Sequence, residues 1–139
     1  MREEVSALAI DKAAYQYQQN SIYNASSGEL TLMLYNGAIK AIRLSQMWID
    51  EKNYEKANFY AGKAQAIIQE LRNSLDMQYD ISKNLYELYD YFLRRLIQAN
   101  VKKDKEIFQE VLHFVEELRD TWVQVLEITK NEKLNNMNK

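Results

Sequence analysis

Not one proline interrupts this chain of 139 residues, and only three glycines do. These two residues cost a helix interior most, ~3 and ~1 kcal/mol relative to alanine. A chain without the first and nearly without the second can run long helices unbroken. Leu, Ala, Glu, Lys and Gln dominate it, and they favour that state. No stretch alternates apolar and polar residues between turn signals as a half-buried strand does. The expected class is all-α. At this length one domain is expected, large enough to bury a core without a metal or disulfide staple.

The stretch Glu29 to Asp50 sets the functional question. At about 100° per residue, Leu30, Met33, Leu34, Gly37, Ala41, Leu44 and Trp48 fall on one stripe. Leu32, Tyr35 and Ile39 fall roughly opposite, with Ile42 at their margin. A surface helix gives its far side to charges, yet between Leu30 and Ile49 only Lys40 and Arg43 are charged. This helix needs apolar cover on two sides. The first stripe is read as the core side, and Leu32, Tyr35 and Ile39 as a side that needs cover from either another part of this chain or another protein. Ser26-Ser27-Gly28-Glu29 forms a capping box at its start.

A second helix is expected over roughly Tyr54 to Leu75, with Ala57, Tyr60, Ala61, Ala64, Ile67, Ile68 and Leu71 inward. Its other side carries Phe59, Gly62 and Ala66, read either as a shallow trough for close packing or as simple tolerance of small residues. A third helix runs from a Ser82 cap to about Asn100, with Leu85, Leu88, Tyr89, Phe92, Leu96 and Ala99 inward. Tyr91 projects outward near Arg94 and Arg95. That group is either a contact for an extended peptide or an aromatic ring stacked on an arginine stem. A fourth helix, capped by Asp104, has the most regular stripe: Ile107, Val111, Val115, Leu118, Trp122, Val125 and Leu126.

Short links make neighbouring helices antiparallel. The expected architecture is an antiparallel up-down-up-down four-helix bundle over residues 26–128. It follows an N-terminal arm, 1–25, and precedes a frayed polar tail, 129–139. In the arm Tyr15, Tyr17, Ile22 and Tyr23 stand among amides. Tyrosine joins large apolar area to a polar tip, so the arm reads as a segment that docks on a groove and leaves it, or as a disordered leader.

A formal charge of −2 and a pI near 5.5 argue against nucleic acid as partner. With no cysteine there is no disulfide framework. The start, MREEVSALAIDK, lacks the apolar run of a signal peptide, and no window has the ~18 apolar residues of a membrane span. A cytoplasmic protein without membrane insertion is expected. Glu110 and His113 make a lone E-x-x-H. The di-iron bundles that use this motif need two copies and two further glutamates, whereas the chain holds one histidine. No glycine-rich phosphate loop is present. No catalytic residue, metal or cofactor is expected, and the chain is read as a contact surface rather than an enzyme.

Several stretches then match one family in order and spacing. They are Tyr17-Gln18-Gln19-Asn20-Ser21-Ile22, Gly28-Glu29-Leu30-Thr31-Leu32-Met33-Leu34-Tyr35-Asn36-Gly37, Ala64 to Leu71, Tyr89 to Asn100, and Leu118-Arg119-Asp120-Thr121-Trp122. Together they resemble the flagellar secretion chaperone family, FliS, over roughly Tyr15 to Leu126. The resemblance implies a helical bundle that holds the C-terminal segment of flagellin in the cytoplasm, prevents its premature polymerisation and helps deliver it to the flagellar export gate. It also implies an arm that covers part of the client surface and is displaced. On that reading Tyr15, Tyr17 and Ile22 belong to the arm, and Leu32, Tyr35 and Ile39 to the face beneath arm or client. The other reading is a self-assembling helical bundle, a structural or adaptor protein whose spare apolar face pairs copies. A monomer or weak homodimer is expected.

Overall fold

The computed structural model describes residues 27–138. Tyr15, Tyr17 and Ile22, the expected arm and Ser26 of the capping box lie outside them. Helices form at α1 (Ser27–Asp50), α2 (Tyr54–Asn73), α3 (Asp80–Lys102) and α4 (Lys105–Met137). α1 packs on α2 and α4, α2 on α3, and α3 on α4, while the diagonal pairs touch least. This is the up-down-up-down bundle. The seams show antiparallel register: Asn58 bonds Asn100 and Arg72 bonds Asp90 between α2 and α3, and Arg43 bonds Glu116 between α1 and α4.

The turns follow from capping chemistry. The Asn53 side chain accepts from the amide of Lys56 and starts α2, and Asp104 accepts from those of Glu106 and Ile107 and starts α4. Lys52 and Lys103 take left-handed backbone, φ 58° and 52°, at the ends of α1 and α3, a place usually filled by glycine. The expected Ser82 cap is a correction: α3 begins at Asp80, and Ser82 is buried inside its first turns.

The core is built from Tyr35, Ala38, Ile39, Ala41 and Ile42 of α1 and Ala61, Ala64, Ile68 and Leu71 of α2. α3 adds Tyr89, Phe92 and Leu96, and α4 adds Phe108, Val111 and Val115. Ser45 is wholly buried yet satisfied, since its hydroxyl donates to the Ala57 carbonyl at 2.8 Å. On α1 the assignment of faces is corrected. Tyr35 and Ile39, expected on the open side, are 4% and 3% exposed, whereas Leu30, Met33, Leu34 and Gly37, expected inside, are only half-buried. The reason is the α1–α2 contact, where Ala38 and Ala41 and the facing Ala61 and Ala64 are all buried. Small residues let two helices approach closely, and Tyr35, Ile39 and Ile42 are buried with them in the same cluster.

α4 also runs further than expected. Residues 129–137, read as frayed, stay helical, and the Asn138 amide still bonds the Leu134 carbonyl. Nothing in this stretch breaks a helix.

Candidate binding surface

Two apolar grooves flank the first turns of α1. The first lies between α1 and α2. Leu30, Met33, Leu34 and Gly37 wall one side and Ile67 the other, with Ser27, Thr31, Glu70 and Ser74 at the rim, around a volume of about 540 Å³. Gly37 shapes it. A Cβ built there would stand 3.2 Å from Cδ1 of Ile67, so the isoleucine lies against bare backbone.

The second groove lies between α1 and α4. Glu29 and Leu32 face Val123, Leu126, Thr129, Lys130 and Lys133 around about 450 Å³. The Trp122 indole donates to the Gly28 carbonyl at 2.7 Å and pins the first turn of α1 to α4. Further along that seam a shallower depression of about 340 Å³ has Ile39 and Leu44 among its lining, with Lys40, Arg43 and Arg119 around it.

Of the residues expected at the site, Leu32 alone lines one of the two larger grooves. Tyr35 and Ile39 belong to the core beneath. Phe59, Gly62 and Ala66 sit exposed on the outward side of α2 and line neither. The Phe59 ring meets Tyr60 edge-on at 5.1 Å, with the Lys63 ammonium 5.3 Å from it. Around Gly62 the space is open, with nothing within 4 Å of a Cβ built there.

Tyr91 and Arg95 are engaged within the bundle. The Tyr91 hydroxyl donates to Oε1 of Glu110 at 2.7 Å. Arg95 donates to both oxygens of that carboxylate, at 3.0 and 3.2 Å, and to Gln98 at 2.6 Å. Arg95, and after it Tyr91, hold the Glu110 carboxyl below its ordinary range, while the same carboxylate pushes the Tyr91 phenol up. This trio ties α3 to α4. Arg94 is exposed, 5.8 Å from the Tyr91 ring and 3.9 Å from Asp90.

His113 is exposed and its Nε2 lies 3.0 Å from Glu117. Among the described residues no group of three His, Cys, Asp or Glu side chains is placed to hold a metal, and no helix is long and apolar enough to cross a membrane.

Sequence reasoning missed Leu30, Met33, Leu34, Gly37 and Ile67 as groove residues because it gave them to the core. The signal was present as an excess of apolar side chains on one helix; which stripe stays open depends on the neighbouring helix. Aliphatic walls with a methionine and a polar rim suit an apolar segment of another chain, laid in as a helix or extended strand.

Comparison with known proteins gives this geometry a context. Residues 10–129 match the family model described as flagellar protein FliS. The chain is 42% identical over 126 residues to the flagellar secretion chaperone FliS of Bacillus subtilis (strain 168), covering 91% of this chain and 95% of that one. It is 31% identical over 111 residues to the protein of the same description from Escherichia coli (strain K12), covering 78% and 82%. A crystal structure described as a flagellar chaperone from bacteria superposes with a TM-score of 0.69 at 22% identity, over 84% of this chain and 98% of that one, and shares the fold.

Proposed function

The chain belongs to the FliS family of flagellar secretion chaperones, and on that premise we propose that its client is flagellin, held in the cytoplasm through the grooves beside α1. The client's C-terminal segment is the part held, so that it does not polymerise before export, and the complex is delivered to the flagellar export gate. The observation that carries this reading is the half-buried row Leu30, Met33 and Leu34, an apolar wall that the bundle's own helices cover only in part. A segment that is disordered when free can wrap such a surface because its ordering entropy is lost only on binding. Release needs no nucleotide chemistry on this chain, since polymerisation and export act on the client afterwards. Leu32 belongs to the same surface through the α1–α4 groove.

Calorimetric titration of the full chain with the C-terminal segment of flagellin tests the proposal. Tight binding with a negative heat-capacity change from apolar burial is expected. A folded protein that shows no heat of binding at high micromolar concentration defeats it.

A further inference from the structure

We infer that Gly37 and Glu70 select the chemistry of the bound segment, admitting a stretch with an aliphatic anchor and a basic residue beside it. The inference rests on the client reading above and goes beyond it by stating what in the client is read.

Depth comes from Gly37. A helix-interior glycine gives up ~1 kcal/mol relative to alanine. Here its missing side chain lets the Ile67 methyl lie where a Cβ would be only 3.2 Å away. A side chain at position 37 presses on that methyl, and Ile67 lines the groove. The walls Leu30, Met33, Leu34 and Ile67 hold neither an aromatic ring nor a charge, which fits a branched or straight aliphatic anchor.

Charge comes from Glu70. The Thr31 hydroxyl is spent on the Ser27 carbonyl at 3.1 Å and the Ser74 hydroxyl on that of Leu71 at 2.8 Å. Glu70 is the one charged residue lining the groove, and among the described residues its carboxylate has no ion-pair partner. A carboxylate beside an apolar wall favours a cation in the occupant and rejects an acidic stretch.

The test titrates the full chain with a synthetic peptide of flagellin's C-terminal segment at low and high salt. Wild-type affinity is expected to fall as salt rises. Glu70→Lys is expected to weaken binding about ten-fold at low salt and to abolish or invert that salt response. Gly37→Ala is expected to weaken binding several-fold without lowering the melting temperature, while Gly62→Ala, away from the groove, binds as wild type. Unchanged low-salt affinity in Glu70→Lys overturns the charge selection, and unchanged affinity in Gly37→Ala overturns the depth selection. A wild-type chain that fails to bind the peptide strikes the client reading itself, which separates the two failures.

Discussion

The hydroxyls of Tyr35 and Tyr89 lie 2.6 Å apart across the bundle diagonal, joining α1 to α3, and both residues are almost wholly buried. Each hydroxyl is the other's partner in an apolar interior. Tyr35→Phe or Tyr89→Phe alone strands one buried hydroxyl and is expected to cost ~1–3 kcal/mol. Removing both leaves no orphan, so the double variant is expected to unfold close to wild type in urea, a coupling read directly from the double-mutant cycle.

The same pair sets an alkaline limit. Burial raises both phenols above the ordinary tyrosine value, and for Tyr89 the neighbouring Tyr35 raises it further. In the unfolded chain they ionise near pH ~10, while in the fold they hold their protons. Their contribution to stability is therefore complete below that pH and is lost as pH climbs toward the raised folded values. Urea midpoints measured from pH 9 upward should fall more steeply for wild type than for the double phenylalanine variant.

Ile39 and Met33 separate core from groove. Ile39→Asp places a carboxylate at a site 3% exposed, packed within the apolar core cluster, and is expected to destabilise by ~4 kcal/mol or more, enough to unfold a marginal bundle. Met33→Asp, on the half-buried wall, is expected to keep the helical circular-dichroism melt near wild type while weakening flagellin binding at least about ten-fold. An Ile39→Asp protein that melts with the wild type would return Ile39 to the open face.

That contrast shows what could be read from the letters. The helical class follows from the missing proline, and the first half of the α4 stripe, Ile107, Val111 and Val115, is buried as its spacing requires, while Leu118, Trp122 and Leu126 are half-buried and Val125 is exposed. α1 defeats the same reasoning because both of its stripes are apolar. Hydrophobicity ranks Leu30, Met33 and Leu34 above Ala38, Ala41 and Ser45. Close helix approach ranks them the other way, and the facing alanines of α2 that decide it lie some twenty residues on. Tyr91 and Arg95 were equally illegible, since their roles rest on Glu110 of the next helix.

Gly62 tests whether a small residue is kept for a partner. With open space around its missing Cβ, alanine there meets no neighbour and improves helix propensity. Gly62→Ala is expected to stabilise the bundle by up to ~1 kcal/mol in thermal or urea unfolding. Flagellin affinity should not change. A stabilised variant that binds flagellin poorly would instead restore the outward face of α2 as a docking trough.

The Glu110 tie between α3 and α4 carries the acid limit. Two hydrogen bonds from Arg95 and one from Tyr91 favour the carboxylate, so its folded value lies below the ~4.3 of a free glutamate. A depressed carboxyl stabilises the fold above the unfolded value, and that gain is lost as pH falls through the folded one. Glu110→Gln lacks the titrating group and leaves Arg95 without its two-pronged acceptor. Its urea midpoint is expected below wild type at pH 7, with the gap closing as pH falls through the depressed folded value and the wild-type carboxyl takes up its proton. Arg95→Lys keeps the charge but loses the planar fork, so it should fall between the two at pH 7. A pH-independent gap between wild type and Glu110→Gln would show that packing, not the carboxylate, holds this seam.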